Sequence, residues 1–255
     1  MTEGPGRSTY DVAGPVDAPA IVFVHGTRLT RSAWAAQLAP LSDTYRVVAL
    51  DLPGHGVLAD QDFTLAAARE ALQRVISEAA GGRAVVVGLS LGGYVAMELA
   101  ARWPDGVRGL VLSGATQEPV GLWATPYRAL AWVMERFDGP GLDALNSWFF
   151  RTRFPPAIAE PILAHGFYST GGAAALRAIV GERFTPRLAA YDGPILILNG
   201  DLDVLFRLGA RRFARAGRDV RRVRLGGATH LANLDRPEAF NEAVRRFMSS
   251  LERRS

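Results

Sequence analysis

Ala84-Val85-Val86-Val87-Gly88-Leu89-Ser90-Leu91-Gly92-Gly93 is the stretch that decides the fold. Residues 84–87 form a short, continuous apolar run rich in valine, the pattern of a strand buried on both faces. Leu91 to Arg102 then reads as a helix. Gly-x-Ser-x-Gly is weak evidence alone, but a strand before it and a helix after it give it a mechanism. A sharp strand-to-helix turn lifts the Ser90 Oγ out of the sheet, and the flanking glycines admit that turn because no Cβ atoms collide. The helix N-terminus beneath favours negative charge nearby.

The same kind of apolar run recurs at Ile21 to Val24, Arg46 to Leu50, Gly109 to Leu112 and Ile195 to Leu198. Helical patterns lie around and between them at Trp34 to Leu41, Leu65 to Ala80, Leu208 to Ala216 and Pro237 to Leu251. This alternation specifies an α/β fold, a mostly parallel sheet with helices on both faces. Val220 to Leu225 is a further strand whose arginines suit a sheet edge. Between the runs ending near Ser113 and starting near Ile195 no strand is apparent. Short helices are expected at Val120 to Phe137, Leu142 to Arg153, Ala157 to Tyr168 and Ala173 to Phe184, punctuated by Pro126, Gly139-Pro140-Gly141, Pro155-Pro156 and Gly171-Gly172. A structureless loop of that length is improbable, so residues 116–189 are expected to form a helical cap (lid). It is inserted into a core made of residues 1–115 and 190–255.

Composition narrows the function classes. A chain of 255 residues, 49% hydrophobic and 21% charged, can bury one large α/β core. All 29 basic residues are arginine, and 25 acids leave a formal charge of only +4. That resembles a codon bias more than a design for polyanions. The density of Arg207, Arg211, Arg212, Arg215, Arg218, Arg221, Arg222 and Arg224 reads as a solvated basic face, without the aromatic interleaving of a nucleic-acid site. Cysteine is absent, which excludes disulfides, thiolate metal sites and a cysteine nucleophile. The first fifteen residues lack an apolar signal core, and no apolar run approaches the ~20 residues that span a bilayer. A soluble, cytoplasmic protein is expected, with a small-molecule substrate, no nucleic-acid or membrane partner, and a possible homo-oligomer.

A serine hydroxyl needs a base within hydrogen-bond reach. Of His25, His55, His165 and His230, only His230 lies in the loop between the last strand and the last helix, at the carboxyl end of the sheet where Ser90 also points. The base needs a carboxylate to fix its tautomer. Asn199-Gly200-Asp201-Leu202-Asp203 offers two, and position alone does not choose between them. Either gives the chain order Ser, Asp, His.

With these residues in view, the chain resembles the α/β-hydrolase superfamily over nearly its whole length outside the cap. Val24-His25-Gly26-Thr27 is similar to the family's His-Gly oxyanion loop, and Asp51-Leu52-Pro53-Gly54-His55-Gly56 to its Asp-x-Pro-Gly-x-Gly turn. Gly200-x-x-Asp203 fits its acid loop, and His230 precedes a Pro-Glu pair, Pro237-Glu238. The resemblance implies a catalytic triad of Ser90, Asp203 and His230, with Asp203 favoured over Asp201. It also implies an oxyanion hole from the backbone N–H groups of Thr27 and Leu91. His25 and His55 then have structural roles in their loops. The short segment before Ile21 departs from the pattern, and a strand of the antiparallel edge is expected to be missing. Ser113-Gly114-Ala115-Thr116 supplies no alternative carboxylate.

The cap is rich in aromatic residues, and a roof over the serine would enclose an apolar pocket. Candidate substrate-binding residues are Arg28, Trp123, Tyr127, Trp132, Trp148 and Phe206. No metal-ligand spacing or nucleotide fingerprint is present, so neither a metal nor a cofactor is expected. The expected function is a serine esterase cleaving a small, largely apolar or aromatic ester or lactone through an acyl-enzyme. The same triad can also serve C–C bond hydrolysis, cyclisation, elimination or acyl transfer. A small-ligand receptor or pseudoenzyme is the reading of a different class.

Overall fold

Side chains alternate across a strand, and here both sides of the sheet are buried. Val22 and Val24 pack into one apolar cluster, while Ile21 and Phe23 pack into a second on the opposite face. Val48 and Leu50 oppose Val47 and Ala49 in the same way, and Ile195 and Ile197 oppose Leu196 and Leu198. This two-sided burial is why these strands read as unbroken apolar runs.

The computed structural model describes residues 8–253. The first half contains β1 (Tyr10–Ala13), β2 (Ala20–Val24), α1 (Ala35–Leu41), β3 (Arg46–Leu50), α2 (Leu65–Ala79), β4 (Ala84–Leu89), α3 (Leu91–Arg102) and β5 (Val107–Ser113). Five helices follow: α4 (Thr125–Phe137), α5 (Pro140–Arg153), α6 (Pro156–His165), α7 (Ser169–Ile179) and α8 (Thr185–Ala189). The chain then returns through β6 (Pro194–Gly200), α9 (Val204–Ala216), β7 (Asp219–Leu225), α10 (Ala232–Asp235) and α11 (Pro237–Glu252). The sheet order is β1-β3-β2-β4-β5-β6-β7, with β1 antiparallel and every other pair parallel. The loops after β2, β4, β5, β6 and β7 therefore meet at one edge, the carboxyl edge where open α/β sheets bind ligands.

Residues 10–13 form one antiparallel strand on β3, at the edge where a strand was expected to be missing. Several helices differ from those expected. Gly171-Gly172 does not break a helix but lies inside α7. A Cβ at Gly171 would stand 1.9 Å from the Gly54 carbonyl oxygen, and one at Gly172 2.7 Å from Arg28 Cγ. These glycines let α7 pack directly on two core loops, a packing use that local turn statistics do not anticipate. The helix expected over 157–168 stops at His165, where Gly166 takes φ +74°. Finally, α9 starts at Val204 rather than Leu208, and α8 packs on α3 and α9 where no helix was expected. No helix among the described residues is long and apolar enough to cross a membrane.

Candidate active site

Ser90 is the single residue between β4 and α3, held at φ 52°, ψ −115°. Only Ser90 and Arg28 among the described non-glycine residues have positive φ, a conformation that costs of order 1–3 kcal/mol. Surrounding structure over-determines it. The Ser90 N–H donates to the Ser113 carbonyl at 2.7 Å, and the Gly93 N–H donates back to the Ser90 carbonyl at 2.9 Å. A Cβ at Gly92 would lie 2.1 Å from the Val24 carbonyl oxygen, so a side chain there would drive α3 off β2.

His230 follows β7 and presents Nδ1 to Asp203 Oδ2 at 2.9 Å. Its ring stacks on Phe206, with centroids 4.7 Å apart and planes inclined by 26°. Asp203 is buried in the loop between β6 and α9. Asp201 is held through its backbone: its N–H donates to the Leu225 carbonyl and its own carbonyl accepts from Arg207. Beneath the imidazole lies Gly114, at φ +58°, where a Cβ would stand 2.7 Å from His230 Cε1. The turn's use is to leave room for the ring. Asn199 fixes the turn by accepting from the Gly114 N–H at 3.0 Å and donating to Thr116 Oγ1 at 3.0 Å. Thr116 in turn donates to the Phe206 carbonyl at 2.6 Å, so one buried chain of hydrogen bonds ties together the loops that carry His230's neighbours.

The loop after β2 is clamped by two buried histidines. His25 donates from Nδ1 to the Gly26 carbonyl at 2.9 Å and accepts the Leu52 N–H on Nε2 at 3.0 Å. His55 donates to the Pro53 carbonyl at 3.0 Å and accepts the Arg28 N–H at 3.3 Å. Both rings serve as one donor and one acceptor, which only the neutral form can do. Burial pushes the His25 pKa down to about 4 and that of His55 down to about 3. In the unfolded chain both would bind a proton near pH 6.5, so the unfolded state takes up more protons below that pH. Stability is therefore full above pH 6.5 and falls as pH drops toward 4, by up to about 1.4 kcal/mol per pH unit for each histidine. Urea midpoints measured between pH 7 and pH 5 should decline accordingly; a flat profile would show that these rings are not neutral clamps.

Ser90 and His230 line one cavity of about 270 Å³. Thr27, Tyr127 and Phe206 line it too, and the rest of its wall includes Leu29, Leu130, Met134, Leu176 and Leu205. Leu130 and Met134 were not singled out from sequence, although Tyr127, Leu130 and Met134 share one helical stripe at i, i+3 and i+7. Tyr127 contributes its ring rather than its hydroxyl. Tyr94 donates to the Gln117 carbonyl at 2.6 Å, which leaves Tyr127 to donate to Tyr94 at 2.7 Å. Burial raises the pKa of both phenols.

The other candidates lie elsewhere. Trp123, Trp132 and Trp148 do not line this cavity and are 42%, 57% and 63% exposed. An aromatic-rich segment could not reveal from composition which face each ring would take. Arg28 is also outside the cavity wall, with Nη1 donating to Asn146 Oδ1 at 3.3 Å and Cζ 5.5 Å from the Phe167 ring centre. Burial lowers its pKa. Its carbonyl accepts the Tyr168 N–H at 3.0 Å, so Arg28 joins the loop after β2 to the helical segment above it.

A half-buried hydroxyl on a strained turn, an imidazole oriented by a carboxylate and an apolar cavity shared by both can support nucleophilic attack on a carbonyl. Leu91 opens α3, where the first N–H groups of a helix have no acceptor within the helix. Among the described residues no cluster of three or more His, Asp or Glu side chains is placed to hold a metal ion.

Residues 21–243 match the model of the Alpha/beta hydrolase family. The chain is 24% identical over 247 residues to 3-oxoadipate enol-lactonase 2 of Acinetobacter baylyi, covering 94% of this chain and 92% of that protein. It is 29% identical over 263 residues to the pimeloyl-[acyl-carrier protein] methyl ester esterase of Xanthomonas axonopodis pv. citri, covering 94% and 98%. Among solved structures, a thermophilic esterase from Thermogutta terrifontis superposes with a TM-score of 0.77 at 26% identity, over 95% of this chain and 93% of that one.

Proposed function

The chain belongs to the alpha/beta hydrolase family, and from that premise we propose that it hydrolyses a small, largely apolar or aromatic ester or lactone through an acyl-enzyme on Ser90. The observation that carries this reading is the single cavity bearing Ser90 and His230, the latter bonded to Asp203, within otherwise mostly aliphatic and aromatic walls. Two of the relatives are named for a lactone and a methyl ester, which supports the ester or lactone class.

Ser90 Oγ attacks the carbonyl carbon as His230 Nε2 takes its proton. Asp203 holds the Nδ1–H and stabilises the imidazolium that forms. The N–H groups of Thr27 and Leu91 receive the charge on the carbonyl oxygen, an effect worth about 3 kcal/mol per donor. Collapse breaks the ester C–O bond, and His230 returns its proton to the leaving oxygen. In a lactone that oxygen stays tethered to the acyl group. Water then attacks the acyl-enzyme with His230 as base, releasing the acid and regenerating Ser90. Residues 116–189 act as the cap, with α4 and α7 supplying the cavity's roof through Tyr127, Leu130, Met134 and Leu176.

A panel of chromogenic esters and lactones, followed by intact mass after a serine-directed phosphonate, tests this reading. Turnover with one adduct on Ser90 is expected; an adduct without ester or lactone turnover would move the chemistry to another triad reaction, and no adduct would indicate a binding protein. Within the panel, Leu130→Trp should lower kcat/KM for bulky acyl groups at least about tenfold relative to acetyl, since it fills the cavity wall. Trp132→Ala and Trp148→Ala should leave that ratio within about twofold, because exposed side chains outside the cavity wall do not discriminate the transition states. The opposite pattern would place the acyl pocket under the tryptophans.

A further inference from the structure

The face of the sheet edge beyond the acid loop carries a second concavity, about 350 Å³ in volume, between α9 and β7. Arg207 and Arg211 reach it from α9 at i, i+4 spacing, and Arg222 and Arg224 from β7 at i, i+2 spacing. Each spacing places its pair on one face of its element. No carboxylate lines the groove. On the other side of β7, by contrast, Arg221 and Arg246 share their groove with Glu242.

Elsewhere in the chain some arginines pair with an acid: Arg31 meets Asp51, Arg153 meets Asp235 and Arg177 meets Glu135. Among the described residues no ion pair engages Arg211, Arg222 or Arg224. Like charges three or four residues apart on a helix repel, and four guanidinium groups around one groove focus a positive potential there. Val204 and Leu208, 61% and 64% exposed, add an apolar patch beside the charges. Guanidinium forks match phosphate and carboxylate oxygens two at a time.

We propose that this groove is a binding site for a multiply charged organic oxyanion, distinct from the cavity that holds Ser90. The charged head would be clasped between Arg207 and Arg211 on one side and Arg222 and Arg224 on the other. Its apolar part would lie on Val204 and Leu208. This site does not depend on the reaction assigned to the triad.

Inorganic pyrophosphate is the probe, titrated calorimetrically into the full chain at fixed ionic strength, beside inorganic phosphate. Saturable one-site binding is expected, tighter for pyrophosphate than for phosphate because a second charged group engages the second arginine pair. Arg211→Gln and the pair Arg222→Gln with Arg224→Gln should each weaken it by about tenfold or more, the loss of bidentate contacts, whereas Arg74→Gln, an exposed arginine on α2, should change it less than about twofold. Unchanged thermal midpoints and unchanged ester turnover would show that these variants fold and keep the other cavity. Absence of saturable heat, or equal weakening by Arg74→Gln, would overturn the site and reduce the groove to a diffuse basic surface.

Discussion

Ser90→Ala should lower kcat/KM by about 10⁴- to 10⁶-fold while leaving unfolding free energy within about 1 kcal/mol of the parent. The two halves of that expectation have separate causes. Stability is preserved because the change removes one hydroxyl from a cavity wall and keeps the Cβ, so the φ of 52° and the bonds to Ser113 and Gly93 persist. Activity collapses because the covalent route needs an oxygen at that position, and the remaining members of a triad act as a unit. Oxyanion donors and substrate binding alone would leave a small residual rate. Steady-state kinetics on the best ester of the panel and a urea titration read the two quantities independently. Activity within tenfold of the parent would remove Ser90 as the nucleophile, whatever the fold.

The Ser90 turn was legible because residues 84–93 hold its parts together: an apolar strand, a serine on the turn, and three glycines, Gly88, Gly92 and Gly93, required by close approach. His230 was legible for a related reason, since its place after the last strand fixes it at the carboxyl edge. What sequence could not convey was orientation within a crowded segment. Trp132 and Tyr127 are both aromatic residues of α4, yet one faces solvent and the other the cavity. Only the register of α4 against α7 separates them, and that register is set by tertiary packing. Gly114 shows the complementary difficulty. Its positive φ and its contact with the imidazole exist only once β5 and β7 are brought to the same edge, so nothing local in Ser113-Gly114-Ala115 announces it. Gly171 and Gly172 show that a glycine pair has two physical uses, turning a chain and letting two backbones touch, of which only the first is visible locally.

Asp203→Asn is expected to reduce kcat by a factor on the order of 10⁴ and Asp201→Asn by about tenfold or less. The difference follows from which carboxylate is bonded to His230. Asp203 Oδ2 lies 2.9 Å from His230 Nδ1, and the ring is further located by Phe206 on one face and by Gly114 beneath. A carboxylate there can only accept, so the Nδ1–H is held and Nε2 is left as the base facing the cavity. An asparagine can donate instead, which favours the tautomer with its proton on Nε2 and removes the base without disturbing the packing. Asp201 holds its turn through backbone groups, by its N–H to Leu225 and its carbonyl to Arg207, and these survive a change of side chain. The pair should therefore separate by about three orders of magnitude in kcat at pH 7 while their unfolding midpoints stay close. Should Asp201→Asn prove the severely impaired variant, Asp203 would lose its role as the orienting acid, and the hydrogen bond seen at His230 would have to be a resting arrangement that the reacting enzyme abandons.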